Sequence, residues 1–74
     1  MKIQVQVQHD QYVKGYFDRT LHEDVVVQVD PLNETVAHAC GRLCDARRFR
    51  MPVVKYQNEI IYKWSWDRTN NNRR

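Results

Sequence analysis

Residues 2–8 alternate without a break, with Ile3, Val5 and Val7 on one side of an extended chain and Lys2, Gln4, Gln6 and Gln8 on the other. A helix would scatter these apolar residues around its axis, whereas a strand repeats every two residues and gathers them on one face. The segment therefore predicts a half-buried strand, and a strand with one apolar face needs a second layer to cover it. Asp24 to Asp30 repeats the pattern, with Val25, Val27 and Val29 inward and Val26, Gln28 and Asp30 outward, and Pro31 ends it.

The covering layer is predicted just downstream. Asn33 is a suitable N-cap, and Glu34 complements the helix dipole from the first turn. Leu32, Val36, Ala39, Cys40 and Leu43 then recur at helical spacing on one stripe, while Glu34, His38, Arg42 and Asp45 face outward. Arg47, Arg48 and Arg50 sit where exposed helix carbonyls favour positive charge, and Pro52 forbids continuation, so the helix is expected to stop by about Phe49. Val53 to Tyr56 and Glu59 to Trp66 read as two strands joined by a tight turn at Gln57-Asn58. His9 to Glu23 stays open, with Tyr12 to Phe17 either a short strand or an ordered loop. The expectation is an α+β domain over residues 1–66, about four strands packed on one helix, followed by a polar tail over residues 67–74.

At 74 residues such a domain buries only about 60% of its unfolded surface, which leaves little room for a deep catalytic cleft. No apolar run approaches the roughly 18 residues a membrane span requires, and the alternating start differs from a signal peptide's continuous apolar stretch. These features predict a cytoplasmic protein with no membrane partner. Cys40 and Cys44 stand four apart on the predicted helix, where a disulfide would close almost no loop, so a reducing compartment is expected. The formal charge of +3 and pI near 9.1 favour acidic partners without reaching the density of a nucleic-acid binder.

Chemistry-bearing residues do not assemble into a motif. Cys40 and Cys44 with His22 or His38 would give zinc the right atom types, but the spacing is not that of a zinc site, and buried small hydrophobes account for both cysteines. A catalytic thiol would need a base within hydrogen-bond reach, and none can be placed from the three histidines. The sequence therefore predicts no metal, no cofactor, no catalytic residue and a non-enzymatic role. Two binding features remain. Arg42, Arg47, Arg48 and Arg50 with Lys55 form a candidate basic patch, for which helix-end complementation is the competing account. Tyr62, Trp64 and Trp66 share one face of the last strand if it is regular, and offer the ring types that dominate interface energetics.

The run VVVQVDPLNETVAHACGRL resembles the second strand, acidic-Pro turn and central helix of ubiquitin-like β-grasp proteins, and MKIQVQVQ and VVKYQNEIIY resemble their first strand and a later hairpin. The long connection from His9 to Glu23 brings the likeness closer to bacterial ubiquitin-like proteins that serve as non-catalytic subunits or secretion accessories. The resemblance implies a binding module and no more; a compact chain of this kind suits an accessory subunit or a phage-type inhibitor of a larger protein, and so small a sheet is expected to be monomeric or weakly dimeric through an edge strand. The resemblance stops short of conjugation, because no Gly-Gly end follows the last strand and Arg73-Arg74 cannot replace one. The glutamine-lined outer face of the first strand likewise lacks ubiquitin's apolar patch. RLCDARRFRMPVVKYQNEIIYKW also resembles the Arg-rich helix and wing of phage excisionase-type winged-helix proteins, which implies nucleic-acid binding as the alternative function.

Overall fold

A computed structural model describes residues 1–65 of the chain. It is an α+β fold in which strands β1 (Lys2–Val13), β2 (Tyr16–Gln28), β3 (Arg50–Tyr56) and β4 (Glu59–Lys63) form one open antiparallel sheet in the order β2-β1-β3-β4. Helix α1 (Val36–Arg47) crosses one face of that sheet between β2 and β3.

The alternation read from the sequence decides which face the helix covers. Ile3, Val5 and Val7 on β1 pair with Val27, Val25 and Glu23 on β2, and with Val29, Ala39, Cys40, Cys44, Val54 and Tyr62 the valines and isoleucine make the core. Lys2, Gln4 and Gln6 stand exposed on the opposite face.

The structure differs from the expectation at several points, among them that β3 begins at Arg50 rather than Val53. Residues 9–23 are neither a loop nor a short strand: they continue β1 and β2 into a long hairpin closed by Lys14 and Gly15, at φ 53° and 85°. Positive φ at both central residues marks the turn whose twist matches the flanking strands. The helix starts later, at Val36 with Thr35 as N-cap, its Oγ1 accepting the His38 N–H at 3.1 Å. Asn33 is diverted because its side-chain amide donates to Asp30 Oδ2 at 2.7 Å, inside a turn that also sends the Asn33 and Glu34 N–H groups to the Asp30 carbonyl. Leu32 therefore leaves the predicted apolar stripe and stands 91% exposed in that turn. At the other end Arg48, at φ 57°, terminates α1 and returns its N–H to Asp45.

The Gln57-Asn58 turn is where the sequence placed it, at φ 53° and 67°. β4, however, ends at Lys63, and Trp64 and Ser65 take up helical backbone. Trp66 and the polar tail over residues 67–74 lie outside the described residues. Among the described residues no helix is long and apolar enough to cross a membrane.

Candidate functional site

The basic patch read from the sequence comes apart into separate contacts. Arg42 reaches back two turns and donates from Nη2 to both carboxylate oxygens of Glu34, at 2.7 and 2.9 Å. The Asp30 N–H also bonds Glu34, at 3.0 Å, and this bond together with the arginine holds the Glu34 carboxyl below its ordinary range. Arg47 lies 3.7 Å from Glu23 Oε1 and 5.0 Å above the Phe49 ring. Arg50 lies 4.4 Å above the ring of Tyr12. Arg48 is the exposed C-cap of α1. Lys55 sits on the open face of the sheet opposite Gln6.

The aromatic group divides as well. Tyr62 is 9% exposed and belongs to the core, where its ring lies so close to Gly41 that a β-carbon there would stand 2.9 Å from Cε2. Trp64 is half-buried beside Gln8, Met51, Pro52, Val53 and Lys63. β4 ends at Lys63, so the strand alternation that would set Trp64 beside Tyr62 stops before Trp64, and Trp66 lies outside the described residues.

The cysteines are buried in the helix face that meets the sheet. Burial raises the Cys40 thiol to about 11. Burial also raises Cys44 to about 12, with contributions from Cys40 and Asp45. Both therefore stay protonated at neutral pH, the state that neither attacks nor ligates. Among the described residues no group of His, Cys, Asp and Glu side chains converges as a metal site would require.

A different surface stands out, at the far end of the β1–β2 hairpin. All residues from Tyr12 to Thr20 are exposed, and they include Tyr12, Val13, Tyr16 and Phe17 at 38, 48, 79 and 55%. Tyr12 faces Phe17 across the ribbon, edge to face with centroids 5.9 Å apart. Comparison with known proteins finds no family model, curated protein or solved structure that matches this chain. The function is therefore argued from the tip and its surroundings.

His9 marks the base of this projection. Its ring is buried and stacked on Phe49 at 4.2 Å between centroids, and its Nε2 meets Glu23 Oε2 at 2.5 Å. With Arg47 over Phe49, this contact anchors the ribbon where it leaves the cover of α1. Beyond it the ribbon is held by polar pairs: Thr20 to Asp10 at 3.1 Å, and Gln11 and Arg19 to Asp18, both at 3.1 Å. Nothing in the sequence of residues 9–23 marked them as a site. The signal that does so in retrospect is the density of aromatic residues in a stretch without inward alternation.

Proposed function

We propose that this chain is a non-enzymatic protein-binding module that presents the tip of its β1–β2 hairpin to a partner. The observation that carries the reading is the group Tyr12, Val13, Tyr16 and Phe17, apolar side chains exposed together on a ribbon braced at its base by His9 and Phe49. Exposed apolar clusters on small domains mark interaction sites, and tyrosine, phenylalanine and arginine are enriched in them. A braced two-stranded ribbon also gives up little conformational entropy on binding.

The charges at the tip favour a protein over a nucleic acid. Asp10 and Asp18 flank the aromatic residues, and Arg19 is already paired with Asp18, at 3.1 Å. Lys14 in the turn and Arg50 over Tyr12 offset these two carboxylates, so the tip carries both signs of charge rather than the uniformly basic surface that phosphate binding favours. The likeness to ubiquitin-like β-grasp proteins supports this reading at the level of element order, hairpin then helix then hairpin. Strand direction is a departure, because β-grasp sheets pair their central strands in parallel and β1 runs antiparallel to β3.

The test is capture of partners from native lysate by the tagged chain, with nuclease present, alongside a variant carrying Tyr16→Ala and Phe17→Ala. The reading expects one stoichiometric protein that survives nuclease and whose affinity falls roughly thirtyfold in the variant, the loss of a hot spot worth about 2 kcal/mol. Loss of every partner on nuclease treatment would give the nucleic-acid reading precedence. Undiminished capture by the variant would remove the tip from the site.

A further inference from the structure

β2 is an edge of the sheet, and the bonds that tie it to β1 reveal what its other side offers. Met1 and Val29 exchange both main-chain bonds, the Val29 N–H reaching the Met1 carbonyl at 2.7 Å and the Met1 amine reaching the Val29 carbonyl at 2.8 Å. In an antiparallel ladder a residue turns its N–H and C=O to the same side, and the next residue turns both the other way. The register from Lys2–Gln28 to Gln11–Arg19 has no bulge. Val29, Val27 and Val25 therefore turn their backbone toward β1, while Gln28, Val26 and Asp24 turn theirs onto the open edge, where no described strand pairs with them.

Apolar side chains flank this row of donors and acceptors on both faces. Val26 is 61% exposed on the open face of the sheet. On the helix side a groove of about 280 Å³ runs between Val26, Val27 and Gln28 of β2 and Ala39, Arg42, Leu43 and Ala46 of α1, the Arg42 guanidinium being bonded to Glu34. The groove follows from the helix sequence: Gly41 seats α1 tightly against Tyr62 of β4, while the small side chains of Ala39 and Ala46 leave the space above β2 unfilled. The occupant must be a strand, to satisfy the main-chain groups, and the run Val25-Val26-Val27 supplies one whose free apolar side chain is Val26, Val25 and Val27 being already buried under their own helix.

We propose that β2 pairs antiparallel with β2 of a second copy of this chain, about a two-fold axis through Val26. This register sets Val26 opposite Val26, Val25 opposite Val27 on the helix face, and Asp24 opposite Gln28. Its hydrogen-bonded pairs are the outward-turned residues, and at two bonds per pair they make about six main-chain bonds. Neighbouring registers fail. An axis through Glu23 or Asp24 opposes like carboxylates, one through Val25 sets Val26 and Val27 against Asp24 and Glu23, and one through Val27 opposes Asp24 and Asp30. Axes between residues set outward backbone against inward backbone. Long unpaired edges invite this kind of pairing unless charge or proline blocks them, and residues 25–27 carry neither.

Sedimentation equilibrium of the full chain from about 10 μM to 1 mM tests the proposal, a range suited to a weak association. The expected result is a reversible monomer–dimer equilibrium that Val26→Lys abolishes and Val26→Thr retains. Val26 points its side chain to solvent, so both variants should keep the parent's amide spectrum apart from the edge. In a mixture of isotope-labelled and unlabelled chains, contacts between Val25 and Val27 of different copies should appear. A chain that stays monomeric throughout, a dimer that survives Val26→Lys, or intermolecular contacts in another register would each overturn the proposal. So would a monomer whose Asp24, Val26 and Gln28 amides slow in exchange only when an unrelated extended peptide is added, since the edge would then serve a foreign strand. The dimer is independent of the hairpin tip, and Tyr16→Ala should leave it unchanged.

Discussion

The two halves of the β1–β2 ribbon are made of the same two strands and lead opposite lives. Near its base, Ile3, Val5 and Val7 with Val25 and Val27 are between 0 and 9% exposed beneath α1, and the other face carries polar residues and the exposed Val26. Near its tip, from Tyr12 to Thr20, the chain keeps strand geometry with no buried residue at all. The base is held by apolar burial, and the tip by the turn, the ladder and a few polar pairs. The difference teaches that strand geometry and core membership are separable. A ladder started by a buried base can be extended past the core, and its side chains are then released from packing and available to a partner.

The largest effect that should separate the two halves is chemical. Cys40 and Cys44, buried over the base, are raised to about 11 and about 12. At neutral pH their thiolate fraction should be at least roughly a hundredfold below that of an ordinary cysteine. Alkylation should be correspondingly slow until denaturant unfolds the chain, whereas a cysteine placed at Val13 should react at the rate of a free thiol. Equal rates would mean that the base opens as readily as the tip.

Val7, fully buried, comes next. Val7→Ala should cost about 2–3 kcal/mol in denaturant unfolding, through lost burial and the cavity left behind. His9→Ala, at the boundary, should cost less, about 1–2 kcal/mol, because it removes one ring stack and one charged hydrogen bond. A cost as large as that of Val7 would move the boundary of the core outward along the ribbon.

Acid should act more gently, at the turn before α1. Asp30, bonded by the Asn33 side chain and the Leu32 N–H, and Glu34, bonded by the Asp30 N–H and Arg42, both titrate below their ordinary values of 3.8 and 4.5. A carboxyl whose folded value is depressed stabilises the fold above its unfolded value, and that stability is lost as pH falls through the folded one. Thermal unfolding followed below about pH 4.5 should therefore show the turn before α1 loosening progressively. An unchanged melting temperature down to pH 2 would detach this turn from the stability of the base. Smallest of all, Tyr16→Ala should change stability by no more than about 0.5 kcal/mol while weakening partner capture. A larger loss would show that the tip supports the fold.

Particular residues show why some of this was legible in the sequence and some was not. The alternation of Ile3, Val5 and Val7, the valines at 25, 27 and 29, and the turn at Gln57-Asn58 are local patterns, and each was read correctly because burial of one face imposes them. Residues 12–20 carry no such pattern because nothing buries them, so the strands that run through them were invisible. The helix start was misplaced because Asn33 and Thr35 are both competent caps. Asp30 settles the competition by taking the Asn33 amide into its own turn. The shared face expected of Tyr62 and Trp64 assumed regular alternation, which stops where β4 ends at Lys63, and Tyr62 belongs to the core.

The sequence by itself determined the class of fold, since two half-apolar strands and one amphipathic helix have few ways to hide their apolar faces together. It also placed Cys40 in the core and the second hairpin at its turn. Only the tertiary structure decided that the arginines are dispersed among separate carboxylates and rings, that Tyr62 is a core residue, and that the exposed aromatic cluster belongs to a hairpin extended beyond the core. Periodicity records burial against a neighbour along a strand or helix. Which charges meet, and where the cover of the helix ends, depend on contacts between residues far apart in the chain, as between Met1 and Val29 or Arg47 and Glu23.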